Sequence, residues 1–172
     1  EMVSAHVELN TITYNAAVSA CEKGGQWDQA MRVLVEMASA HVELDTITCN
    51  AAVSACEKGG RWDQALRLLV EMASAYLELN TITYNTAVSA CAKGGQWDQA
   101  LRLLVEMASA HVSLLVEMAS VHVELNTITF NAAISACEKG CQWDQALSLL
   151  VEMASVHVEL NTITFNAAIS AC

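Results

Sequence analysis

The chain has 172 residues, with 19 acidic against 8 basic side chains, a net charge of −11 and 54% hydrophobic residues. That balance excludes indiscriminate adhesion to nucleic acid or to anionic membrane, so any bound anion must be met locally. No stretch reaches the roughly 18 unbroken apolar residues of a membrane span, and the mean hydropathy of +0.33 reflects small and aliphatic side chains.

Residues 1–10 read as the tail of a repeat, because the phrase that begins at Thr11 returns from Thr46, Thr81, Thr127 and, cut short, Thr162. The steps are 35, 35, 46 and 35 residues. A fixed period in that range marks a stacked array whose units bury their apolar faces against one another. The units are 11–45, 46–80, 81–126 and 127–161, with 162–172 as the first helix of a truncated fifth. The chain starts at Glu1 without an initiator methionine and stops inside a unit, so it is expected to be a piece of a longer protein.

Within unit 11–45, two helix-sized segments flank Gly24-Gly25, and the absence of proline leaves those glycines as the main punctuation. The expected fold class is therefore all-α, an α-solenoid of antiparallel helical hairpins. The segment from Ile12 to Lys23 carries the small residues Ala16, Ala17, Ala20 and Cys21, which suits an inner helix closely approached on several sides. In the segment from Trp27, the steps to Ala30 or Met31, Leu34 and Met37 or Ala38 mark one apolar face of an outer helix. Tyr14, Tyr84, Phe130 and Phe165 add bulk to the inner helix, and Cys49 at the same place thins that packing.

The 46-residue step comes from a duplication: Leu103 to Val112 recurs after Ser113 as Leu114 to Val123, with Ala110 becoming Val121. Eleven residues are three turns plus roughly 20°, so the stripe Leu103, Met107, Ala110, Leu114, Met118, Val121, Leu125 stays in phase. An outer helix extended by about 16 Å is expected.

Five of the seven cysteines (Cys21, Cys56, Cys91, Cys137, Cys172) copy one position. Stacked helices lie roughly 8–10 Å apart, beyond the ~7 Å Cα limit for a bridge, so these read as small buried thiols in a reducing compartment. His6, His41, His111, His122 and His157 supply no clustered ligand spacing for a metal, and Cys137 with Cys141 has no second pair. No nucleophile–base pair, phosphate loop or carboxylate dyad is visible, which points to a protein that is not an enzyme and holds no cofactor.

A 35-residue helical hairpin reading Ile-Thr-Tyr-Asn at Ile12, Lys-Gly-Gly at Lys23, Trp-Asp-Gln-Ala at Trp27 and Leu-Val-Glu-Met at Leu34 resembles the pentatricopeptide repeat family. The likeness covers the whole chain. The tetratricopeptide repeat has a 34-residue period and an aromatic-Leu-Gly-aromatic pattern that is missing here.

The resemblance implies binding of single-stranded RNA in an organelle, chloroplast or mitochondrion, for RNA processing, stability or translation, with about one base read per repeat. It places one base-reading side chain after the aromatic of each inner helix, at Asn15, Asn50, Asn85, Asn131 and Asn166. The second reader is the last residue of each unit, at Asp45, Asn80, Asn126 and Asn161, with Asn10 left from a preceding unit. It assigns base-wedging to Ile12, Ile47, Ile82, Ile128 and Ile163, and phosphate contact to Lys23, Lys58, Lys93 and Lys139. By the same analogy Asn with Asp favours uracil and Asn with Asn favours cytosine, so the four complete units read U, C, C, C.

These residues also have plainer expected roles. Asn and Asp are leading N-cap residues, and a lysine at a helix C-terminus complements the macrodipole. Leu44, Leu79, Leu125 and Leu160 stand where the family has a proline, and the insertion is expected to weaken the pair Asn85 and Asn126. The rival function is a helical-repeat scaffold for protein partners, and a third outcome is self-association through uncapped ends.

Overall fold

The computed structural model describes residues 10–117 and 125–171, and every regular element among them is an α-helix. The chain divides into two compact units, Glu1–Leu77 and Glu78–Cys172. In the first, α1 (Thr11–Lys23) and α3 (Thr46–Lys58) pack side by side, with α2 (Trp27–Ser39) and α4 (Trp62–Ser74) returning against them. In the second, α7 (Thr127–Lys139) lies between α5 (Thr81–Lys93) and α9 (Thr162–Ser170), with α6 (Trp97–Glu117) and α8 (Trp143–Ser155) as the partners of α5 and α7.

The hairpin turn follows from backbone bonding. Beyond α1 the Gly25 N–H donates to Glu22 O at 3.1 Å and the Gln26 N–H to Cys21 O at 2.9 Å, with Gly25 at φ +61. That pair of bonds closes the helix only if the residue after the cap is left-handed, which glycine adopts without strain. Cys141 makes the same turn after α7 at φ +53, with its side chain exposed. Cys141→Gly is therefore expected to stabilise the chain by about 1 kcal/mol. A urea transition with an unchanged or lower midpoint would count against that strain.

The outer helices end in a second left-handed turn. His41, Tyr76 and His157 sit at φ +55, +55 and +59. Val42 N–H donates to Met37 O at 3.1 Å, closing α2 behind His41. His41 and His157 thus mark helix stops, a place that histidine tolerates better than most side chains. In the third outer helix the stop is displaced, for α6 passes through His111 and has 21 residues where α2 has 13. It is longer by about 12 Å at 1.5 Å per residue. The expected extension is present as far as Glu117, and its continuation through residues 118–124 lies outside the described residues.

Small buried residues let the inner helices approach: Ala52, Val53, Ala55 and Cys56 on α3 are inaccessible, as are Ala133, Ile134, Ala136 and Cys137 on α7. Outer helices bury Ala30, Leu34 and Met37, and their counterparts, along the expected face. The fourth residue of the inner helix fills the hairpin, with Tyr14 and Phe130 fully buried and the Tyr84 O–H donating to Glu106 Oε1 at 3.1 Å. Cys49 is buried there too, and beside it lies a cavity of about 200 Å³ lined by Leu34, Leu68 and Met72. The six described cysteines are free thiols. Burial pushes Cys49, Cys56 and Cys137 up to about 11 and Cys91 up to about 12, so they stay protonated and inert at neutral pH.

Successive hairpins of the first unit are also joined through Trp27. Its ring lies so close to the α3–α4 turn that a Cβ at Gly59 would come 2.5 Å from Trp27 Cδ1. The Arg61 guanidinium covers the ring at 4.2 Å from its centroid and is held by Asp63 at 3.0 and 3.1 Å.

Candidate nucleic-acid interface

The candidate readers converge at the start of each inner helix. Asn10, Asp45, Asn80, Asn126 and Asn161 all have extended backbone and cap the helix that follows. Asp45 Oδ1 accepts from the Thr48 N–H at 2.7 Å, Asn126 Oδ1 from the N–H groups of Ile128 and Thr129 at 3.0 and 3.1 Å, and Asn161 Oδ1 from Thr164 at 3.0 Å. Capping takes the oxygen, because a backbone N–H can only donate. Asn126, Asn161 and Asn80 are therefore left with their NH2 groups to offer, whereas Asp45 has only acceptors.

The reader on the preceding inner helix meets this cap. Asn15 Nδ2 donates to Asp45 Oδ2 at 3.1 Å, and the Thr48 hydroxyl bonds Asn15 Oδ1. In the second unit the Thr129 hydroxyl bonds Asn85 Oδ1, and Thr164 Oγ1 lies 2.5 Å from Asn131 Oδ1. Asn85 and Asn126 thus share Thr129 although the insertion separates them in sequence. Asn50 lies half-buried on α3 of the first unit, and Asn80 caps α5 of the second with its oxygen on the N–H groups of Ile82 and Thr83. Asn166 is exposed on α9.

Sequence reading did not single out these threonines. The signal that finds them is Asn or Asp followed three residues later by a hydroxyl, the reciprocal cap seen in full at Asn126 with Thr129 and at Asn161 with Thr164.

Burial alone would raise the Asp45 carboxyl, but the bonds from the Thr48 hydroxyl, the Thr48 N–H and Asn15 outweigh it and hold it below its usual value. Asp45 is therefore an ionised acceptor at neutral pH. One residue into each helix stand the isoleucines, 77% exposed at Ile12 and 67–70% at Ile47, Ile82, Ile128 and Ile163. So large an exposure of a branched aliphatic beside polar readers offers an apolar edge to a planar ligand.

Three profiles match this chain: the PPR repeat family over residues 44–93 and 125–172, the PPR repeat over 82–112, and the pentatricopeptide repeat domain over 1–61. The chain belongs to the PPR repeat family. Among solved structures, PPR10 in complex with an 18-nt psaJ RNA element matches with a TM-score of 0.79 at 23% identity, covering 99% of this chain and 23% of that one. Nuclear proteinaceous RNase P 2 from A. thaliana matches at 0.78 with 13% identity, over 95% of this chain and 35% of the other. The PPR domain of Arabidopsis thaliana protein-only RNase P 1, in complex with tRNA, matches at 0.73 with 13% identity over 90% and 76%. These likenesses show the PPR hairpin solenoid fold, and this chain spans about a quarter of the PPR10 length. No curated protein matches by sequence.

The PPR lysines end their inner helices at one register. Lys23, Lys58, Lys93 and Lys139 are all exposed in the last turn. Lys58 is held 2.9 Å from Glu22 Oε1, which also accepts from Ser54 Oγ at 3.0 Å. The Lys58 bond is the main reason that the Glu22 carboxyl is held below its ordinary value. At the place of Glu22 and Glu57 the third repeat has Ala92, so α5 sets no such acid beside Lys139.

Proposed function

We propose that this PPR chain binds single-stranded RNA without catalysing its cleavage, prefers pyrimidines, and serves RNA processing, stability or translation in a chloroplast or mitochondrion. The observation that carries the reading is the chemistry left over at the caps. Asp45 offers an acceptor, which suits the imino N3–H of uracil, and Asn80, Asn126 and Asn161 offer NH2 donors, which suit the unprotonated N3 of cytosine. The RNA complexes named for PPR10 and RNase P 1 support the partner class. The exposed isoleucines supply the apolar side of each base site. A second reading, a scaffold for protein partners, is favoured by Val35, Val70, Val105 and Val151 on the outer helices, each 64–71% exposed.

Fluorescence anisotropy with an oligomer containing UCCC and with its purine counterpart tests the proposal. At least about tenfold preference for the pyrimidine strand is expected, with a log–log salt slope of about −3 for four phosphate contacts at 0.7 each. Asn131→Ala should reduce that preference. Equal affinity for both strands removes the base reading, and no binding to either favours the scaffold.

A further inference from the structure

The reader asparagines do not orient themselves. An amide can present either its oxygen or its NH2, and a donor read as an acceptor would invert the base preferred. Some group must fix the choice before RNA arrives.

We propose that Thr48, Thr129 and Thr164 are positioning residues that hold the oxygens of Asn15, Asn85 and Asn131 and so turn each NH2 toward the base. This rests on the RNA reading above and deepens it. Each of the three threonines has no accessible surface, so its hydroxyl must find partners within the protein.

The hydrogen-bond count decides which partner takes the proton. Thr129 Oγ1 accepts from the Asn126 N–H at 3.5 Å, and Thr164 Oγ1 from the Asn161 N–H at 3.3 Å. Each hydroxyl then has one proton to give. The cap oxygen, 3.1 Å away at Asn126 and 3.0 Å at Asn161, already takes backbone donors. The shorter bond runs to the reader of the preceding inner helix, Asn85 or Asn131. With its oxygen held, the amide has its NH2 on the far side. A flipped amide would set NH2 against the hydroxyl and push the proton onto a cap oxygen that is already engaged. In the first unit the Thr48 proton is shared with the Asp45 carboxylate, whose Oδ1 lies 2.6 Å away, and the amide of Asn15 is fixed a second time because it donates one hydrogen to Asp45 Oδ2. Its second hydrogen is the one left for a base.

The test compares Thr129→Val with Thr129→Ser in the full chain, reading two quantities. The first is the affinity ratio for RNA oligomers carrying C or U at the base assigned to Asn85 and Asn126. Valine should lower that ratio by about tenfold, the worth of one oriented hydrogen bond, while serine keeps it. The second is the side-chain NH2 signal of Asn85 in nitrogen-resolved NMR of the free protein, which valine should move and serine should not. Thr164→Val, read on Asn131, repeats the comparison if Thr129→Val does not fold. An unchanged ratio in a valine variant that still binds RNA overturns the positioning role. So does an unmoved amide signal. If the unaltered chain binds neither oligomer, the RNA reading falls, and the amide signals still decide whether the threonine orients the asparagine.

Discussion

Gly59→Ala is expected to destabilise the first unit by about 2–3 kcal/mol, the upper range for overpacking a close contact. The new methyl would lie 2.5 Å from Trp27 Cδ1 and 3.2 Å from both Ala55 O and Gly25 O. Two of those neighbours are backbone, and the third belongs to an indole pinned between the turn and Arg61. Gly59 has φ −80, which alanine adopts freely, so the cost is steric rather than conformational. Gly24 is the matched control: its added methyl would meet only Gln26 side-chain atoms at 3.4 and 3.6 Å and Cys21 O at 3.7 Å. Its alanine variant should change stability by less than about 0.5 kcal/mol. Urea unfolding of the two variants distinguishes the cases, and equal midpoints would remove the Trp27 seat as a structural element. Gly140, whose added Cβ would come 2.3 Å from Trp97 Cδ1, should behave like Gly59.

The second large effect is on recognition. On the proposed RNA reading, Asp45→Asn should convert the first site from uracil to cytosine, moving the U-to-C affinity ratio by about a hundredfold across the reversal. The substitution keeps the cap, because Asn80, Asn126 and Asn161 cap their helices with the same geometry. It replaces Oδ2, which accepts from Asn15 Nδ2 at 3.1 Å, by an NH2, so that bond is given up, and it removes an ionised group held below its usual pKa. Anisotropy with UCCC against CCCC oligomers reads the ratio. A variant that still prefers uracil would detach base choice from the capping residue and leave it on Asn15, while one with no preference would show that an amide at the cap does not by itself select cytosine.

Much of this architecture is legible in the sequence because repetition multiplies each weak signal. The Gly-Gly break, the spacing of Trp27, Leu34 and Met37, and the small residues of the inner helix each have copies in phase, and the helices follow them. The capping role of Asn10, Asp45, Asn80, Asn126 and Asn161 is legible for the same reason. What is not legible is whatever depends on two distant residues meeting. Thr48 reads as an unexceptional β-branched residue near a helix start until Asn15, 33 positions earlier, is placed against it. The Glu22–Lys58 pair, 36 positions apart, is hidden in the same way. The left-handed helix stop at His41 and His157 is likewise not visible in the spacing of the histidines. At Asn126 the sequence suggests a disturbed register, yet the inserted residues enter upstream of the cap, and Asn126 keeps its bonds to Thr129.

Each candidate base site draws Asn15, Asn85 or Asn131 from one repeat and its cap from the boundary, then takes its threonine from the next repeat. The unit that recognises is therefore out of phase with the unit that folds. Reordering such units would ordinarily tear a site apart at every seam. Here the residue crossing the seam is the same at Thr48, Thr129 and Thr164, so on the proposed positioning role it acts as a common coupler. On that role, a repeat placed beside a new neighbour carrying the same threonine would still receive the hydroxyl that the site needs.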